Sequence, residues 1–164
     1  MITSHRAFLQ ITFFISLILF SITNAHTQNL HPRKEKDNIA GVFFGATRTN
    51  NINVFTEGLE YHRVVAFPFG VAVVYEHSPH NYENRAESEL FGLLVWNIPH
   101  NLIFGFGPGV RFTKEKPSVT LGRVKLGYIL LLPSNIEFMP NINYDVNPRV
   151  PAEWVGGFSI GKQF

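Results

Sequence analysis

Cysteine is absent from all 164 residues, which removes disulfides, thiol nucleophiles and cysteine-based zinc sites together and leaves the redox compartment open. Charge of either sign is scarce: 14 Lys and Arg stand against 12 Asp and Glu, and no basic cluster is interleaved with aromatics, so no nucleic-acid partner is expected. From residue 38 onward there is no helical periodicity. Glycine, proline or charge breaks every apolar run there before the ~20 residues a membrane-spanning helix needs. What the chain does have is aromatic side chains, with 16 Phe, 5 Tyr and 2 Trp set among 13 Gly and 10 Pro.

The first residues read as an export signal. MITSHRAFLQITFFISLILFSITNAH has a short polar start with Arg6, an apolar run from Ala7 to Phe20 interrupted by Gln10, and small residues at Thr23 and Ala25. That order predicts a signal peptide over 1–25, cleaved after Ala25, rather than a membrane anchor. Residues 26–37, HTQNLHPRKEKD, form a polar tail, which leaves 38–164 as the folded part.

Period-two alternation recurs through that part and predicts about eight strands, roughly 39–48, 53–65, 69–77, 87–97, 101–113, 118–131, 135–146 and 152–164. Each is near the ~9–11 residues of a tilted membrane strand. The connections around Pro68, Pro99 and Pro133 are tight. Those at RTNNIN, HSPHNYENRAES, TKEKPS and YDVNPRVPAE are expected to be mostly longer and more polar. Short turns on one rim and longer loops on the other, with both termini on the short-turn side, is the layout of a transmembrane barrel.

Strand faces separate by size. In LIFGFGPGVRFT, Leu102, Phe104, Phe106, Pro108, Val110 and Phe112 alternate with Ile103, three glycines, Arg111 and Thr113. Ile136, Phe138, Pro140, Ile142 and Tyr144 alternate in the same way with Glu137, Met139, Asn141, Asn143 and Asp145. An eight-stranded barrel has an interior just wide enough for side chains, so the glycine-rich set belongs inside and the Phe/Leu/Tyr set outside. The first and fourth strands are apolar on both faces and cannot be oriented this way. Pro108 and Pro140 each remove a ladder donor and predict bulges.

The inward set then carries four acids, Glu60, Glu76, Glu137 and Asp145, against Arg111, Arg123 and Lys125, with His62 nearby. Isolated charges in hydrocarbon are costly, so these are expected to face the lumen and pair as a salt-bridged plug; a proton or ion path is the competing reading. The stretch YEHSPHNYE brings Glu76, His77 and Ser78 together as the ingredients of a hydrolase. On a strand, however, His77 and Ser78 point to opposite faces, so a polar loop is the simpler expectation and no catalytic residue is assigned. His77 and His80 lack a third ligand in reach, so neither a metal nor any other cofactor is implied. The loop cations Arg48, Arg85, Lys114, Lys116 and Arg149 could meet lipid phosphates or form a solvated rim.

The signal peptide, the eight alternating strands, Gly58-Leu59-Glu60-Tyr61, Phe106-Gly107-Pro108-Gly109-Val110 and the terminal Phe164 resemble the small OmpA/OmpX-type outer-membrane β-barrel proteins of Gram-negative bacteria. The resemblance covers 38–164. It implies an all-β, eight-stranded antiparallel up-and-down barrel in the outer membrane, in contact with its lipid and lipopolysaccharide and monomeric, with no added periplasmic domain. It also implies insertion by the barrel-assembly machinery, which reads a final strand ending in an aromatic, here Phe158, Ile160 and Phe164; Lys162 is the exception in that outward set and is expected to snorkel. Two other functions fit parts of the pattern. Lipid A deacylases are also eight-stranded barrels and use a His-x-Ser pair with an acid, but His77 and Ser78 are adjacent; a soluble periplasmic lipocalin-like binder shares the alternation with its faces inverted.

Overall fold

The computed structural model describes residues 38–81, 85–148 and 150–164. The expected signal peptide with its cleavage after Ala25, the polar tail 26–37 and Arg149 therefore lie outside the described residues. The strands are β1 (Asn38–Thr49), β2 (Ile52–Ala66), β3 (Phe69–Ser78), β4 (Glu87–Ile98), β5 (Leu102–Thr113), β6 (Val119–Tyr128), β7 (Leu130–Leu132), β8 (Ile136–Asn147) and β9 (Val150–Gln163). Every pairing is antiparallel, successive strands pair except that β6 pairs with β8 beyond the short β7, and β1 pairs with β9 from Ile39↔Gln163 to Arg48↔Trp154, which closes the sheet. β6 and β7 lie in one register along β8, so the nine segments make eight staves. The sixth strand, expected unbroken over 118–131, is interrupted at Ile129, whose amide bonds Asn101 O at 2.8 Å. Closure leaves no free edge for another chain to pair with.

Three short connections, Phe67–Pro68, Pro99–Asn101 and Pro133–Asn135, share the rim that carries Asn38 and Phe164. Two of them repeat a pattern: after the proline, His100 and Asn101 take φ of 69° and 64°, and Ser134 and Asn135 take 66° and 60°. Asparagine tolerates this left-handed region better than most residues, which is why it closes both turns.

The opposite rim corrects the sequence reading. RTNNIN is no loop, because β1 and β2 run to a two-residue turn at Asn50 and Asn51, with φ of 49° and 65°. Positive φ at both central residues is the hairpin geometry that matches strand twist. YDVNPRVPAE is likewise mostly strand, since β8 ends at Asn147 and β9 starts at Val150. Only the β3–β4 and β5–β6 connections are longer there. Polar composition was read as loop where it belonged to strand ends.

The expected bulges at Pro108 and Pro140 are also absent. Opposite each proline a ladder has a gap, between Phe91↔Gly109 and Leu94↔Phe106 and between Gly127↔Asn141 and Leu130↔Phe138, with the register unchanged on both sides. A missing N–H deletes a bond without adding a residue. The irregularities that do shift register fall between Val64 and Ala66 and between Asp145 and Asn147, beside the rims.

The inner and outer sets follow the size rule in β2, β3, β5, β6 and β8. β1 and β4, unassigned from sequence, now have faces: Ile39 and Phe43 turn inward from β1, and Glu87, Glu89, Phe91, Leu93, Val95 and Asn97 from β4. The lumen thus holds two phenylalanine rings, and its glycines make room for them. A Cβ at Gly109 would sit 2.2 Å from Phe91 Cδ1, and one at Gly45 would sit 2.5 Å from Phe43 Cζ. Phe91 joins Val74, Leu93, Val95, Ile103, Leu121 and Ile129 in an apolar core inside the barrel.

Candidate functional site: the charged lumen

Arg123 of β6 is the centre of the lumen and is 1% exposed. Its guanidinium donates to Glu76 of β3 at 2.5 and 2.8 Å and to Asp145 of β8 at 2.7 and 2.6 Å, and reaches Glu89 at 3.4 Å. Its Cζ lies 3.7 Å from the centroid of Phe91, so one face of the ion is covered by a ring while its edge meets carboxylates. Asp145 is a neighbour in register, but Glu76 is not. Arg123 therefore ties opposite walls together, and its planar fork is the group that can meet two carboxylates at once.

Arg111 of β5 holds a second group nearer the long-loop rim. It donates to Glu89 at 2.6 Å and to Glu153 through Nη1 at 3.0 Å and through Nη2, and lies 3.2 Å from Glu87. Carboxylate oxygens of Glu87, Glu89 and Glu153 come within 4.8 Å of one another, and Arg111 bridges all three. Lys125 pairs with Glu60 at 2.5 Å, and Glu60 also accepts from Ser159 at 2.9 Å. Gln163 donates to Glu137 at 2.5 Å.

Every residue expected in the lumen, Glu60, His62, Glu76, Arg111, Arg123, Lys125, Glu137 and Asp145, thus lies on the inner face. The Arg111 and Arg123 groups are joined through Glu89, while the Lys125–Glu60 and Gln163–Glu137 pairs lie apart from them. Three further acids, Glu87, Glu89 and Glu153, were missed. The first two lie on β4, whose face alternation could not assign; Glu153 has the parity of inward Val155 and was legible. The best-formed cavities among the described residues have volumes of about 10 and 30 Å³, on the scale of one or two waters.

His77 and Ser78 are not brought together. Ser78 faces inward and shares a hydrogen bond of 2.9 Å with Thr56, which is bonded in turn to Thr47 at 2.7 Å. His77 faces outward, where its Nδ1 lies 3.0 Å from Ser88 Oγ. Glu76 belongs to Arg123. His80 is exposed, and neither histidine joins a metal-holding group among the described residues. On the final strand Phe158 and Ile160 face outward, as does Phe164 beyond it; Phe158 packs between Phe44 and Phe138 at centroid distances of 6.1 and 5.4 Å, and Phe164 N bonds Asn38 O at 2.9 Å.

No protein-family model matches this sequence, and no curated protein sequence matches it. Solved structures do. Neisserial surface protein A superposes with a TM-score of 0.62 at 9% identity, covering 77% of this chain and 96% of that one. The N-terminal β-barrel domain of Pseudomonas aeruginosa OprF gives 0.56 at 12% identity, over 78% and 98%. The outer membrane protein AlkL, solved in lipid bilayers, gives 0.57 at 9% identity, over 84% and 97%. The chain has the fold of a small outer-membrane β-barrel. A designed transmembrane barrel matches too, with a TM-score of 0.53 at 15% identity over 79% and 98%, so the fold by itself specifies no biological task.

The outer face of this outer-membrane-type barrel is a broad apolar belt, with Leu59 60%, Leu94 57% and Val73 51% exposed on three adjacent strands. Tyr144 and Trp154 pack at 4.5 Å between centroids toward the long-loop rim, and Tyr61 donates to Asn38 at 2.7 Å toward the other. Aromatics with a polar tip at both ends of an apolar belt suit two membrane–water interfaces. Lys162 is exposed on this face two residues from Phe164, close enough to the rim for its ammonium to reach water.

Proposed function

We propose that this chain is an integral, monomeric protein of a bacterial outer membrane whose barrel is sealed by its own side chains and serves as a scaffold for the rim facing outward. The observation that carries the reading is the pairing of an apolar outer belt with a lumen of buried, mutually bonded charges. A soluble binder of similar shape needs the reverse, and a belt of that size in water would aggregate. Arg123 spanning the lumen, bonded to Glu76 on one wall and Asp145 on another, supports a plug over a conducting path. We assign the rim cations Arg48, Arg85, Lys114 and Lys116 to contact with lipopolysaccharide phosphates, and closure at β1–β9 supports a monomer. Phe158, Ile160 and Phe164 are the residues we assign to recognition by the barrel-assembly machinery.

Cell fractionation tests the reading directly. The protein is expected in the outer-membrane fraction, resistant to carbonate extraction and faster-migrating on a gel when unboiled. Release without detergent would overturn it. In planar bilayers the refolded barrel is expected to give no discrete conductance steps, and steps from a purified sample would overturn the sealed lumen.

A further inference from the structure

Toward the long-loop rim the outer face carries a polar row across three adjacent strands. On β2, β3 and β4 the cross-strand partners Glu57, His77 and Ser88 form a single outward-facing row, because Glu57 pairs with His77 and His77 with Ser88. Apolar side chains bound the row, with Phe44 opposite Glu57 on β1 and Phe112 opposite Ser88 on β5. Among the described residues Glu57 is the only acid on the outer face of the strands; every other strand carboxylate points into the lumen. A carboxylate beside hydrocarbon is costly, and the sealed-scaffold reading gives it no use.

The row has the geometry of a nucleophile and its base. Ser88 Oγ lies 3.0 Å from His77 Nδ1, and the Tyr75 hydroxyl lies 3.2 Å from the same oxygen. His77 and Ser88 are only half-buried, so the hydroxyl can be approached from outside. Both sit one residue inside the strand ends at the longest connection, next to the rim.

We propose that Ser88, His77 and Glu57 form an esterase site for acyl-ester lipids of the surrounding leaflet, a proposal that rests on the outer face being lipid-facing. Ser88 Oγ attacks the ester carbonyl carbon while His77 takes the hydroxyl proton. The Tyr75 hydroxyl donates to the tetrahedral oxyanion. Collapse breaks the bond to the alkoxide oxygen, which leaves with the proton from His77 and gives an acyl-serine. Water, deprotonated by His77, then attacks the acyl carbon and releases the fatty acid, and Ser88 regains its proton. Glu57, the register partner of His77 on the adjacent strand, is assigned as the positioning residue for its ring.

The test uses the full barrel refolded into phosphatidylethanolamine vesicles containing lipopolysaccharide, with insertion verified by unboiled gel mobility. Released fatty acid is followed by mass spectrometry, and nucleophilicity by labelling with a long-chain alkyl fluorophosphonate. Wild type and Ser78→Ala are expected to release fatty acid and to label equally. Ser88→Ala and His77→Ala are expected to lose release by about 10²-fold or more, with the label mapping to Ser88. Glu57→Gln should lower kcat with little change in KM, and Glu57→Asp should recover part of it. An inserted barrel that neither releases fatty acid nor labels, or one whose activity survives Ser88→Ala, overturns the site and leaves the outer-membrane reading standing. A barrel that does not insert overturns both.

Discussion

Arg123→Met is the substitution that most directly tests how the lumen holds together. It keeps an unbranched apolar stem but removes the guanidinium, and with it the stacking on Phe91 and every bond to Glu76, Asp145 and Glu89. Those carboxylates are almost fully buried, and removing one partner of a buried ion pair costs about 3–5 kcal/mol because the other is left uncompensated. Replacing the whole group with neutral residues removes that penalty. Arg123→Met alone is therefore expected to lower unfolding free energy in vesicles by about 3–5 kcal/mol. The triple variant Arg123→Met, Glu76→Gln, Asp145→Asn should recover more than half of that loss. Urea titration followed by tryptophan fluorescence and gel mobility, run where folding is reversible, reads both. A loss below about 1 kcal/mol, or a triple variant no more stable than the single one, would refute the view that Arg123 bridges the walls as a desolvated ion.

Other substitutions test the remaining layers. Gly109→Val places a branched side chain where Phe91 already stands and is expected to cost about 1–3 kcal/mol in the same titration, with partial relief when Phe91→Ala is added. Leu59→Arg, on the exposed outer face of β2, is expected to cost up to about 2–4 kcal/mol in vesicles; a change within about 0.5 kcal/mol would mean that this face meets water. Asn50→Val forces a β-branched residue into the left-handed region of the β1–β2 turn and should cost about 1–2 kcal/mol. Deleting Phe164 should slow assembly into outer membranes in cells, read as accumulation of heat-insensitive, protease-sensitive protein, while refolding into detergent is little affected.

The long alternations in β5 and β8 made the fold legible, since a strand with Phe and Ile on one face and Gly, Arg and Asp on the other has few ways to bury both. β1 and β4 were opaque for the converse reason: Phe43 beside Phe44, and Phe91 between Leu90 and Gly92, give alternation nothing to separate. Glu87 and Glu89 were lost with β4, and with them two of the three acids that Arg111 serves. The turns went wrong where polarity was taken for loop, as at Asn50-Asn51, because the ends of strands that rise past a membrane are as polar as loops.

By itself the sequence determined the strand period, the number of staves, the inner and outer sets on most strands, and hence a barrel with charge inside. These follow from local physics, because each residue's face is set by the parity of its own strand. The tertiary structure alone decided which charges meet. Parity carries no information about height or about the wall across the lumen, so neither Arg123 with Glu76 nor the outward row of Glu57, His77 and Ser88 could be read before closure and register placed them side by side.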